Sequence, residues 1–290
     1  MSLSTSPFEG PAFEWAEPEA GVAVCAVFAS PHSGALYPSD WVAQTRLDPL
    51  ALRSSEDAYV DQLIWPCAPL GFACLRGLYA RAYVDVNRDP RELDPRLFQE
   101  PLPADARPSS LRVAAGLGVI ARKVSEGRDI YGGPLPLSEG LARLAQVHTP
   151  YHQTLKAALE RLKSERGRAV LLDWHSMPSA SCRADVVLGD LRGRSCAPGL
   201  TRWLAAAFKA AGLKVALNHP YAGGWTTQLY GQPMQGRHAV QIELSRGLYM
   251  DEARLEPTAG LADLRALIGT LAAGLYPLLS ADAAQLLRPE

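Results

Sequence analysis

No run in this 290-residue chain approaches 18 uninterrupted apolar residues, so no transmembrane span is expected. Neither charge dominates. Lys+Arg total 29 against 30 Asp+Glu, a formal net charge of -1. Without a basic field, a dedicated nucleic-acid binder is disfavoured. Cysteine is sparse: Cys25, Cys67, Cys74, Cys182 and Cys196 are odd in number, widely spaced and without a CxxC pair. That argues against a disulfide framework and a thiolate zinc site, and for reduced, mostly buried thiols. The first 20 residues, acidic and aromatic, lack the basic stretch and apolar run of a signal peptide, and a cytoplasmic protein is expected. GxGxxG, P-loop and GxSxG motifs are absent, which weakens nucleotide-binding and serine-hydrolase readings. No internal repeat or long low-complexity segment appears.

What is present is a globular composition, 48% hydrophobic and 20% charged, enough for a sizeable core. Residues 1–20 read as an irregular arm and 21–290 as one domain, since no Pro/Gly/Ser-rich linker separates two cores. Short apolar runs predict strands at 21–30, 71–77, 80–87, 169–176, 184–190, 213–218 and 238–245. Ser54 and Ser55 before EDAYVDQLIW predict a helix start with acidic residues in its first turn. Residues 88–110 carry five prolines and read as an extended loop. Leu141, Leu144, Val147, Tyr151, Leu155, Leu159 and Leu162 predict a long helix over 138–165, kinked or broken at Pro150. Further helices are predicted over GLTRWLAAAFKAAGL and roughly 258–280. Strands separated by helices indicate an α/β fold with a mixed, mostly parallel sheet flanked by helices.

Reactive side chains gather at strand ends. Strand 21–30 delivers His32, strand 169–174 delivers Asp173 and His175, and strand 238–242 delivers Glu243. In open α/β sheets ligands bind beyond the carboxyl ends of the strands. Histidines and carboxylates there suit a metal site or an acid/base pair, with Asp173 two residues from His175 and able to orient it. Glu56 and Asp57 open the helix after His32 and are both candidate third ligands. Glu243, set in VQIEL, is costly to bury without a partner or a job, and general base is the natural job. Asn87 and Arg88 in NRDP bring an amide and a guanidinium, and Arg suits a carboxylate.

The blocks SPHSG, EDAYVDQL, YVDVNRDP, IYGGPL with HTPYHQTL, DWHSMPS, NHPYAGGW with LYGQP, and HAVQIELSRGLYM follow one another from about residue 25 to 255. This series resembles the N-formylglutamate amidohydrolase family. The resemblance implies a zinc-carboxypeptidase-like fold and a zinc ion on His32, Asp57 and His175, with Glu56 the competing acidic residue. It implies Glu243 as general base, and Asn87 and Arg88 at the substrate carboxylate. It further implies hydrolysis of a small-molecule N-formyl or N-acyl amino acid, N-formylglutamate foremost, as in histidine degradation. Arg81, Arg183 and Arg237 are candidates for a side-chain carboxylate. The segment after Asp57 and the LYG at 229–231 depart from the histidine-degradation members and bear on the substrate side chain. The alternatives are an N-acyl amino-acid deacylase, a small carboxypeptidase, or a non-catalytic binder of acidic small molecules.

Overall fold

The computed structural model describes residues 10–18, 23–124, 127–280 and 287. The parts of the expected arm and first strand at 1–9 and 19–22 lie outside the described residues. The strands are β1 Phe13–Ala16, β2 Ala26–Ser30, β3 Ala73–Gly77, β4 Ala169–Met177, β5 Val186–Gly189, β6 Val215–Leu217 and β7 Arg237–Ser245. The α-helices are α1 Ser39–Gln44, α2 Pro49–Arg53, α3 Val60–Ile64, α4 Leu111–Ala114, α5 Leu137–Arg143, α6 Thr149–Arg166, α7 Pro198–Ala210, α8 Trp225–Tyr230 and α9 Gly260–Ser280.

By internal contacts the chain divides into two compact units. One comprises the chain up to Glu14, His32–Glu56 and Gly77–Gln153; the other comprises Trp15–Pro31, Asp57–Arg76 and the chain from Thr154. Each is assembled from segments distant in sequence, so no linker marks a boundary.

The sheet has the order β1-β3-β2-β4-β7-β5-β6. β2 runs parallel to β3 and β4, β4 to β7, and β5 to β6, while β5 is antiparallel to β7. The expected mixed, mostly parallel sheet with flanking helices is therefore present. Side chains alternate between the two faces of a strand. On one face Phe28, Val170, Leu172, Trp174, Val186, Leu188, Val240, Ile242 and Leu244 join the buried cluster. α3, α7 and α9 close this face through Val60, Leu63, Leu200, Leu204, Phe208, Ile268, Leu271 and Leu275. Burying each such side chain is worth roughly 1.5–3 kcal/mol. By length and composition α9 could cross a membrane, yet its Leu264, Ile268 and Leu275 belong to this core.

Four sequence expectations need correction. Phe13–Ala16, within the expected irregular arm, forms the edge strand β1. The 80–87 segment is a buried turn, not a strand: Tyr83 N and Val84 N both donate to Ala80 O. Ser54 and Ser55 do not cap the next helix. Tyr59 adopts a left-handed conformation (φ 67°), and α3 begins only at Val60. Pro150 does not break the long helix. Leu144–His148 widens into a π turn immediately before it. A proline lacks an N–H and clashes with the carbonyl four residues back, and the wider turn absorbs both defects. The proline-rich 88–110 loop is held by acidic side chains instead of a ladder. Asp89 takes Arg91 at 2.7 and 2.9 Å, and Asp94 takes Arg96 and Arg122 at 2.9 and 3.0 Å.

Candidate active site

The face of the sheet opposite the apolar core carries a different row. Asp173 and His175 on β4 stand beside Gln241 and Glu243 on β7, paired in register as Asp173 with Gln241 and His175 with Glu243. All four are buried. Alternation thus puts four polar groups on the side of the two central strands that the greasy cluster does not use. Gln241 Nε2 donates to Glu243 Oε1 at 2.7 Å, fixing the carboxylate's position.

His175 sits between carboxylates. Its Nδ1 lies 3.0 Å from Asp57 Oδ2 and its Nε2 lies 3.1 Å from Asp173 Oδ2. Burial alone would push its imidazole down. Asp173, Asp57 and Glu243 outweigh that and hold it well above the ordinary histidine range. Asp57 is braced in turn, because Arg246 Nη2 donates to its Oδ1 at 3.2 Å and Arg246 Nε to Ser176 Oγ at 3.3 Å. One oxygen of Asp57 therefore faces arginine and the other faces histidine.

The loop NHPYAGGW closes on this polar face. Gly189 pairs with Gln241, and a Cβ on Gly189 would lie 2.7 Å from the backbone of Ala222 and Gly223. The glycine lets the loop approach the sheet. Asn218 anchors it, with Oδ1 accepting from Asp190 N and Arg192 N at 3.1 and 3.0 Å.

In the other unit, His32 is two residues beyond the end of β2. Its Nε2 lies 2.7 Å from Asp85 Oδ1, leaving Nδ1 as the nitrogen it can offer a ligand. Asp85 also accepts from Asn87 N at 2.9 Å and from Arg81 Nε at 3.0 Å, and Arg88 Nη2 is 3.5 Å away. Burial would raise the Asp85 carboxyl, but Arg88, His32 and Arg81 hold it well below the usual range. Arg88 is itself buried. Its Nε donates to Leu117 O at 3.2 Å and its Nη1 to Asn87 O at 2.9 Å. Burial draws its guanidinium down to about 10, against the pull of Asp85. Glu56 is engaged by the Tyr37 hydroxyl and by Arg53 Nε at 3.2 Å. Gly34 completes the SPHSG turn. A Cβ there would lie 2.4–2.6 Å from the backbone of Leu78 and Tyr79.

Among the described residues, His32, Asp57 and His175 form a group that could hold a metal ion, all three buried. The competing Glu56 is not in it. A family model for N-formylglutamate amidohydrolase matches residues 24–250. The chain belongs to that family. An N-formylglutamate deformylase of Pseudomonas aeruginosa is 38% identical over 217 residues, covering 72% of this chain and 75% of its own. One of Pseudomonas putida is 32% identical over 243 residues, covering 81% and 84%. The crystal structure of N-formylglutamate amidohydrolase from Ralstonia eutropha JMP134 superposes with TM-score 0.87 at 33% identity, over 92% of this chain and 98% of that one. A gene product of Agrobacterium tumefaciens, 18% identical with TM-score 0.61, shares the fold. The protein is thus a hydrolase of the N-formylglutamate amidohydrolase family.

The three arginines considered for a side-chain carboxylate differ in their surroundings. Arg237 begins β7, six residues before Glu243, or about 20 Å along a strand. It donates to Gln232 and Gln235. Arg183 is exposed, and Arg81 is committed to Asp85. Asp85, Gln241 and Arg246 join these groups without having been singled out in the sequence. Asp85 was hidden by taking its segment for a strand. Gln241 shows a usable signal: it is two residues from Glu243, hence on the same strand face.

Proposed function

We propose that this protein hydrolyses the amide bond of N-formylglutamate, releasing formate and glutamate, with a zinc ion held by His32, Asp57 and His175. Two imidazoles and one carboxylate make a donor set that zinc accepts. Each histidine in the set has its second nitrogen against a buried aspartate, Asp85 for His32 and Asp173 for His175. Such partners fix ring orientation and ligand basicity. Zinc, when bound, would polarise the amide carbonyl and make water acidic enough to ionise near neutrality.

The observation that carries the reading is the register of β4 and β7, in which His175 pairs with Glu243. Glu243 takes a proton from the attacking water and returns it to the leaving nitrogen as the C–N bond breaks. Gln241 holds the carboxylate during that exchange. Asn87 and Arg88 receive the substrate's α-carboxylate. Support for the substrate comes from the names of the two Pseudomonas relatives, both N-formylglutamate deformylases.

The test is a panel of N-formyl and N-acetyl amino acids, with metal analysis of the purified protein. About one zinc per chain is expected, with formate released fastest from N-formyl-L-glutamate and activity lost to chelation and restored by zinc. Full activity after exhaustive chelation would refute the metal assignment. Preferential release of acetate would move the enzyme to the N-acyl amino-acid deacylases.

A further inference from the structure

The HTPYH segment has no role in the chemistry above, yet its buried His148 and half-buried His152 both bond to one short turn. His148 ends the π turn and His152 lies in the first part of α6, four residues on and therefore on the same helical face. Their rings are 4.5 Å apart. His152 Nε2 is 2.7 Å from Val86 O, and His148 Nε2 is 3.0 Å from Arg88 O. A carbonyl only accepts, so each ring carries its proton on Nε2. Between these two bonds, Arg88 Nη1 takes Asn87 O. Three successive carbonyls of the turn, at Val86, Asn87 and Arg88, are thus each met by a side-chain donor.

A buried segment with no ladder must still find partners for its backbone. Asp85 N finds Val119 O at 2.8 Å, but the three carbonyls that follow are met by side chains, so side chains fix that part of the turn. The turn bears Asp85, which holds His32, together with Asn87 and Arg88. Burial pushes both imidazoles down, His152 to about 3, which favours the neutral, donating form of each ring.

We propose that His148 and His152 are positioning residues. By clamping the carbonyls of Arg88 and Val86, they set the 85–88 turn so that Asp85 aims His32 and Arg88 meets the substrate carboxylate. This rests on the function proposed above. The clamp acts through hydrogen bonds at Nε2, which gives a sharp contrast between variants. The amide nitrogen of His152→Gln reaches the position of Nε2, whereas His152→Asn stops short and His152→Leu has no donor. The same holds at His148.

The experiment compares these variants in three measurements: zinc affinity by chelator competition, KM and kcat for N-formyl-L-glutamate, and thermal midpoint. Losing an outer partner of a metal ligand costs about 10–100-fold in affinity. His152→Asn and His152→Leu act one step further out, through Asp85, and should therefore bind zinc up to about 10-fold more weakly, with His152→Gln restoring most of it. His148→Asn and His148→Leu should raise KM more than they lower kcat, again with rescue by Gln. Should a Leu variant fail to fold, the Gln–Asn contrast decides. Folded Asn variants with wild-type zinc affinity and KM would overturn the proposal. So would Gln and Asn variants that lose both equally, in step with the thermal midpoint. Zinc affinity is read without turnover. A protein that binds zinc at these residues but releases no formate would defeat the proposed function and leave the clamp standing.

Discussion

At the residue scale the decisive contrast is between neighbours that share a chemical type. Glu56 and Asp57 are adjacent carboxylates with different obligations. Glu56 is taken up by Tyr37 and Arg53, while Asp57 Oδ2 faces His175 Nδ1 at 3.0 Å. Glu56→Gln should keep its zinc and Asp57→Asn should lose it, as metal analysis of the two purified variants will tell. The reverse pattern would exchange the assignment. Glu243 and His238 share β7 but not a face. His238 Nδ1 accepts from Ala197 N at 3.2 Å, and burial draws its ring down to about 4. It is a packed histidine and no substitute for Glu243 as base. Glu243→Gln should keep fold and zinc and lose roughly 10²–10⁴-fold in kcat, the ordinary worth of a general base. Retained turnover in Glu243→Gln would place the proton transfer elsewhere. Arg88→Lys should be impaired on free N-formyl amino acids and largely spared on their amides, because the fork geometry matters only for an anionic partner. Equal losses on both would make Arg88 structural, consistent with its bonds to Leu117 O and Asn87 O.

At the scale of elements, what could be read in advance was what alternation and apolar runs encode. β4 and β7 are legible because a buried parallel strand is a continuous apolar run, and a Glu or Asp inside such a run announces itself. His32, Asp57 and His175 were reached in this way together with the family resemblance. The 80–87 turn was not legible. Its Tyr83, Val84 and Val86 mimic a strand, while its real organisation comes from His148 and His152, about 60 residues away in sequence, and from Arg81 and Arg88 around Asp85. No local pattern encodes such partners. The SPHSG turn shows the opposite case, a sequence signal whose meaning only packing reveals. Gly34 sits against the backbone of Leu78 and Tyr79, and backbone cannot swing away as a side chain can. Gly34→Ala should cost about 1–3 kcal/mol in urea unfolding, the usual range for overpacking. Because the turn follows His32 directly, the folded fraction should also bind zinc more weakly. Wild-type stability would show that the turn shifts freely.

At the scale of the whole molecule, the segments of the two units alternate along the chain and leave no compositional seam, and stability should respond to acid through neutral histidines. Burial draws His152 to about 3 and His238 to about 4, and lowers His148 as well. In the unfolded chain each would take a proton near 6.5. A folded pKa below the unfolded one means that the unfolded state binds more protons in the interval. The stabilisation is therefore present above about pH 6.5 and is lost as pH falls toward the folded values. His175 and Asp85 do not contribute in that window. The raised pKa of His175 leaves it protonated in both states below 6.5. The lowered pKa of Asp85 acts only below the ordinary carboxylate value of 3.8. Between about pH 6 and 4.5 His152 and His238 should each steepen the fall in unfolding free energy by up to about 1.4 kcal/mol per pH unit. Removing one titrating ring should flatten the fall by that amount. Urea titrations of wild type and His152→Gln across this range make the comparison, since the variant keeps a donor for Val86 O but has nothing to protonate. Parallel slopes would mean that His152 takes up its proton without unfolding, through an opening of the first part of α6. That opening would show as selective amide exchange there at low pH.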